Sequence, residues 1–143
     1  MSGFLLDTNV LSEIIKKTPD TKVASWLEDG LDEDILFMSV LTIGEIRKGA
    51  CVLPNASRRA AIEAWLEKDL KVRFSGRILP ISEAIADRWG ILSGHARMNK
   101  TVLPVIDGLM AATALDHNLI FVTRNVKDIS STGVTWFNPW EAS

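Results

Sequence analysis

The sequence predicts an α/β domain with a mostly parallel central sheet of four to five strands flanked by helices. The first observation behind this is order: short apolar runs alternate with longer amphipathic stretches from one end of the chain to the other. The second is length, because each apolar run is short enough for one buried strand while the stretches between them have helical spacing. The third is size. At 143 residues and 47% hydrophobic composition, the chain suits a single core, and residues 1–143 are read as one domain with no linker, repeat or low-complexity tract.

Phe4-Leu5-Leu6 is the first strand, ending at Asp7, and Val10, Leu11, Ile14 and Ile15 follow with the spacing of one helix face. A second helix is expected over Val23 to Leu31, where Val23, Trp26 and Leu27 share a face. Ile35 to Val40 is the second strand, and Thr42 is expected to open the next helix through Ile43, Ile46 and Gly49-Ala50. Pro54 and Asn55 then mark a turn before an amphipathic helix from Ser57 to Val72, with Ala61, Ile62, Trp65, Leu66 and Leu70 as its apolar stripe.

Arg77 to Ile81 supplies the third strand, and Ser82 caps a helix running through Ile85, Ala86, Trp89 and Leu92 towards Arg97. Pro104 sits at the start of an Ala-rich helix, Val105 to Asp116, where its missing N–H is not needed. Leu119 to Thr123 is the fourth strand and Val134 to Phe137 a short fifth. In sheets of this class ligands bind outside the carboxyl ends of the strands, which directs attention to Asp7 and to the segment Thr123 to Asp128.

The formal charge of −2 excludes a protein that coats nucleic acid by net positive charge alone. A local basic rim is still available from Arg47, Lys48, Arg58, Arg59, Arg73, Arg77, Arg97, Lys100, Arg124 and Lys127. Cys51 is the only cysteine, so neither an intrachain disulfide nor a multi-thiolate zinc site can form, as suits a reducing compartment. The N-terminal residues lack a basic region, and no apolar run reaches the ~20 residues that span a bilayer. These features predict a cytoplasmic protein with no membrane association.

The acids carry the chemistry. Asp7, followed by Thr8 and Asn9, is either the N-cap of the first helix or a site carboxylate presented at a strand tip. Glu45, in Thr42-Ile43-Gly44-Glu45, fits both a capping box and an acid facing the same rim as Asp7. Asp107 interrupts an apolar run from Thr101 to Ala112, where an ionised carboxylate is costly unless a helix N-terminus or a bound cation offsets it. Gly108 beside it leaves room for a close backbone or a ligand. After the fourth strand, Thr123, Arg124, Asn125 and Asp128 form a polar loop in which Asn125 offers an amide oxygen and Asp128 a charge.

Carboxylates gathered this closely repel one another by about 4 kcal/mol for a pair 4 Å apart at an effective dielectric of 20, so they need a counter-charge. A donor set of hard oxygens selects Mg²⁺ or Mn²⁺. His95 and His117 are the only histidines, and neither is placed for a metal-free acid–base mechanism. An aspartate-based phosphatase with Asp7 as nucleophile is disfavoured because Asn9 stands where a second acid is wanted.

Leu5-Leu6-Asp7-Thr8-Asn9-Val10-Leu11-Ser12-Glu13, Ser39 to Gly49, Asp107-Gly108-Leu109-Met110-Ala111-Ala112-Thr113-Ala114 and Val122-Thr123-Arg124-Asn125 together resemble the successive motifs of PIN domains. The likeness covers nearly the whole chain and is nearest to the VapC and FitB toxins of bacterial toxin–antitoxin pairs. It implies a PIN-like fold and a Mg²⁺- or Mn²⁺-dependent endoribonuclease with Asp7, Glu45 and Asp107 as metal ligands. It also implies an RNA substrate, a cognate antitoxin, and a homodimer or a dimer of dimers with that antitoxin. Many relatives carry aspartate where this chain has Asn125, which leaves open whether Asn125 or Asp128 completes the site. It also keeps a catalytically weak scaffold as the alternative. Thr8, Asn9, Thr123 and Arg124 are expected in support.

Overall fold

The structure, a computed structural model, describes residues 3–29 and 31–141. Five parallel strands are arranged in the order β3-β2-β1-β4-β5. They are β1 (Phe4–Leu6), β2 (Leu36–Ser39), β3 (Ile78–Leu79), β4 (Ile120–Val122) and β5 (Trp136–Phe137). The chain winds outward from β1 through β2 to β3, then returns across the sheet to lay β4 on the other side of β1. β1 spans the predicted residues, and each later strand is shorter than the run that predicted it, because ladder pairing stops where the chain turns. At β3 it ends before Pro80, which has no N–H to donate.

The two faces follow the period of two along each strand. Leu6, Leu36, Met38 and Val122 point into a core closed by α1 (Thr8–Glu13), α2 (Thr21–Glu28), α3 (Val40–Cys51) and the chain from α4 (Ala56–Ala64) onward. Leu5 and Phe121, with Phe37 and Leu79, meet Met110, Ala111 and Ala114 on the other face. Those last three belong to α7 (Val105–Asp116), and α6 (Glu83–Met98) packs along its outer side. The short α8 (Val126–Ile129) leads to β5.

The helix expected over residues 57–72 contains a feature that propensity does not show. Asn55 caps α4, its Oδ1 accepting from Arg58 N at 3.0 Å, and the helix then widens to a π turn over Trp65–Leu70 before closing as α5 (Lys71–Arg73). Ile62, Leu66, Leu70 and Phe74 all face the same core. A spacing of four drifts around an ordinary helix of 3.6 residues per turn, and the wider turn cancels the drift.

Helix starts account for two further differences. The predicted opening at Thr42 is corrected: α3 begins at Val40, with Ser39 Oγ accepting from Leu41 N at 3.0 Å. Ser39 ends β2, so strand and cap are contiguous and no capping box forms at Thr42 and Glu45. The second helix is α2, capped by Asp20 through Lys22 N at 2.8 Å; Gly30, within the stretch predicted as helical, lies outside the described residues. Ser82 and Pro104 begin α6 and α7 as expected.

Gly108 serves packing. A Cβ there would stand 2.9 Å from Leu103 Cδ2 and 3.0 Å from Trp89 Cδ1, so the space anticipated for a ligand is taken by α6 and the loop before α7. No described helix is long and apolar enough to cross a membrane.

Candidate active site

Asp7 leaves the carboxyl end of β1 and Thr123 leaves the end of β4, the neighbouring strand reached only after the chain has reversed its winding. This is the switch point at which open α/β sheets form a crevice. Asp7 is 4% exposed and Thr123 is fully buried. The Asp7 carboxylate is held by three donors: Thr8 N to Oδ1 at 2.7 Å, Thr123 Oγ1 to Oδ2 at 2.7 Å and Asn9 Nδ2 to Oδ2 at 3.2 Å. It is also the N-cap of α1, so the two roles open in the sequence are filled by one side chain.

Glu45 reaches the same crevice from α3. The Thr8 hydroxyl donates to Glu45 Oε1 at 2.6 Å and lies 2.9 Å from the hydroxyl of Thr42, which is buried one turn earlier on the same helix. Thr42 is the residue the sequence reading missed. Its signal was its spacing of three before Glu45, which puts both on one helix face. Because Ser39 caps α3, Glu45 is released from capping and free to face Thr8.

Asp107 stands in the first turn of α7, half-buried. Burial raises its proton affinity, and the charges of Asp128 and then Glu45 raise it further. Asp7 is pushed up to about 6, chiefly by burial; its bonds from Thr123 and Thr8 oppose the rise, and the charges of Asp107 and Glu45 add to it. The charges of Glu45 and Asp107 thus reach Asp7, and Asp128 adds its charge at Asp107. Among the described residues none of them is paired with a lysine or arginine.

The last corner is looser. Asn125, at the start of α8, and Asp128, within it, are both exposed. The Asn125 backbone N donates to Thr123 Oγ1 at 3.0 Å, which ties the loop to the hydroxyl that holds Asp7. Among the described residues the Asn125 side chain caps nothing, and Asp128, through its charge, is the residue of the pair that acts on Asp107.

Much of the anticipated basic rim is engaged elsewhere. Arg47 pairs with Glu63 and Glu67, and Arg59 donates to Leu53 O at 2.9 Å. Arg73 pairs with Glu33, while Arg77 donates to the carbonyls of Glu33 and Leu36 at 2.7 and 2.6 Å. These four hold elements together. Arg124 stays beside the site, its guanidinium 4.9 Å from the centre of the Trp140 ring. His95 and His117 are exposed on helix ends away from the carboxylates.

The site's own chemistry suits a hard cation. Every side chain that faces the crevice from these positions offers oxygen, and Asn9 Oδ1, beside Asp7, is buried without a hydrogen-bond partner. Negative charge without a counter-ion and an orphaned carbonyl oxygen both suit Mg²⁺ or Mn²⁺. Among the described residues, however, no three His, Cys, Asp or Glu side chains are arranged to hold an ion by themselves. The expected trio of Asp7, Glu45 and Asp107 is brought to one crevice but not drawn into a closed ligand cage.

Comparison with known proteins gives a consistent result. Residues 4–133 match the family model described as PIN domain. The chain is 35% identical to the toxin FitB of Neisseria gonorrhoeae over 136 residues, covering 95% of this chain and 97% of that one. It is 33% identical to the VapC ribonuclease Y4jK of Sinorhizobium fredii over 137 residues, covering 96% and 97%. Among solved structures, that of FitAcB from Neisseria gonorrhoeae superposes with a TM-score of 0.91 at 34% identity, over 97% of this chain and 99% of the other.

Proposed function

The chain belongs to the PIN-domain family, and from that premise we propose that it is a Mg²⁺- or Mn²⁺-dependent endoribonuclease, the toxin of a toxin–antitoxin pair. The observation that carries this is the meeting of Asp7, Glu45, Asp107 and Asp128 at the β1/β4 switch point with no described cation among them. The reading takes residues 1–143 as one PIN domain working in the cytoplasm, as a homodimer or as a dimer of dimers with its antitoxin. Support for the partner comes from a similar structure, a toxin–antitoxin complex from Klebsiella pneumoniae, which superposes with a TM-score of 0.69 at 25% identity.

In this reading Asp7, Glu45 and Asp107 would hold the cation through their carboxylate oxygens. Bound there, the cation would supply Lewis acidity towards the phosphate and lower the proton affinity of water. The protein's own part is positioning. Thr8 fixes Asp7 through its N–H and Glu45 through its hydroxyl, while Thr123 clamps Asp7 from β4. Asn9 aims an unpartnered oxygen beside them. Asp128 completes the charge in preference to Asn125, because its charge acts on Asp107. Hydrolysis adds water oxygen to phosphorus and expels the 3′ oxygen, leaving 5′-phosphate and 3′-hydroxyl ends.

Incubating the purified protein with RNA in Mg²⁺ or in EDTA tests the proposal. Cleavage that requires the metal and disappears in Asp7→Asn is expected. Equal cleavage in EDTA would remove the metal mechanism, and RNA binding without turnover would leave a scaffold.

A further inference from the structure

Beyond the carboxylates, the wall that carries Asn125 and Asp128 continues into a cavity of about 570 Å³ between α8 and the edge strand β5. That volume lies within the range of about 300–1,000 Å³ common to small-ligand sites. Its lining mixes cationic, amide and aromatic groups, Arg124, Lys127, Asn125, Asn138 and Trp136, with the carboxylates of Asp128 and Glu141. Trp136 is 43% exposed, whereas Phe137 beside it packs against Trp26 in the core. Among the described residues, no ion pair or hydrogen bond engages the Arg124 guanidinium or the Lys127 ammonium. Arg124 lies against the Trp140 ring, an arrangement that orders it while leaving its N–H edge open.

We propose that this cavity is a subsite for one nucleotide of single-stranded RNA, its base stacked on Trp136 and its phosphate met by Arg124 and Lys127. The proposal rests on the ribonuclease reading and deepens it by specifying the form of the substrate. A duplex keeps its bases paired and stacked within the helix, whereas an unpaired base can be splayed onto an aromatic side chain. Cations that track a phosphate backbone beside an exposed aromatic ring are the usual means of holding single strands without base-specific hydrogen bonds. Asn125 adds an amide suited to a base edge or a sugar hydroxyl, whereas Asn138 is buried with its Oδ1 accepting from Trp140 N at 3.0 Å. Since Asp128 lines the cavity and its charge reaches Asp107, a strand seated here continues towards Asp107 and Asp7.

The test uses the full chain with Mg²⁺ and a short unstructured oligoribonucleotide, and compares Trp136→Leu with Trp136→Phe. Leucine keeps apolar bulk on β5 but has no aromatic face, so KM should rise roughly 5- to 100-fold, the equivalent of one lost base stack. Phenylalanine should restore most of it, and kcat should change little in either variant. Removing one base from the RNA at the position seated here should weaken the wild type by a similar factor and Trp136→Leu far less. If the wild type cleaves this RNA and both variants match its KM within twofold, the subsite is wrong while the ribonuclease reading stands. Failure of the wild type to cleave RNA in Mg²⁺ overturns both.

Discussion

The two sides of the carboxylate crevice are built differently. On the β1/α3 side, Asp7, Thr8, Thr42, Glu45 and Thr123 form a connected set of short hydrogen bonds, with Asp7, Thr42 and Thr123 buried. On the α7/α8 side, Asp107 is half-buried, while Asn125 at the start of α8 and Asp128 within it stand exposed, joined to the other side by the bond from Asn125 N to Thr123. The first side has its geometry set by the sheet. The second supplies charge and is free to adjust, and only Thr123 spans both. A rigid side suits ligands that must be in place before the cation arrives. The open side, where the nucleotide cavity lies, suits the passage of a strand.

The sharpest way to break this contrast is to neutralise an acid that faces the crevice on each side. Asp7→Asn or Asp107→Asn should each lower RNA cleavage on the order of 10³-fold or more, the equivalent of several kcal/mol of transition-state stabilisation, measured under single-turnover conditions. Comparable losses are expected although one acid is buried and bonded and the other is not. A loss confined to Asp7 would mean that the α7 side is dispensable.

Next in size is the pH dependence of the metal-free protein. Asp7 is raised from 3.8 to about 6, so the folded state binds its proton more tightly than the unfolded state does. The resulting stability is fully present below about pH 4 and is lost as pH rises through about 6. Its total is about 3 kcal/mol. Denaturant unfolding in EDTA between pH 4 and 8 should therefore show a falling midpoint, and Asp7→Asn should flatten the fall. A midpoint that rises over this range would contradict the burial of Asp7 as an unpaired acid.

Smaller effects separate the supports. Thr8→Val removes the donor to Glu45 but keeps shape, which should cost about 1.5–3 kcal/mol of the site's ordering and slow cleavage roughly 10-fold. Asp128→Asn should reduce metal affinity by only a few-fold, read by titration of Mn²⁺, because Asp128 is exposed and its charge is screened. Asn125→Asp, adding a charge to the same loop, should raise that affinity. If Asn125→Ala impaired cleavage more than Asp128→Asn did, the roles of these two residues would be reversed.

The rigid side was the less legible of the two in the sequence. Asp107 stands out because an acid within an apolar run demands an explanation, and Asp7 is marked by its place between a strand and a helix. Thr42 and Glu45, by contrast, mimic a capping box, and only the position of Ser39 decides against it. The cap depends on where β2 stops pairing, which is a property of the sheet and not of the local residues. The α/β class and the five strands were readable from alternation alone. The π turn was present only as a spacing of four through Ile62, Leu66, Leu70 and Phe74. Whether Asn125 or Asp128 faces Asp107 turns on a few backbone angles in α8, and no pattern of residue types records them.

Whether these acids form one cation site is decided by thermal unfolding of the wild type, Asp7→Asn and Asp107→Asn with and without Mn²⁺. A bound cation at 100 times its Kd should stabilise the folded wild type by about 2.7 kcal/mol, raising its Tm, while neither variant responds at that concentration. A wild-type Tm that ignores the metal, or variants that respond as strongly as the wild type, would mean that these acids do not form a cation site.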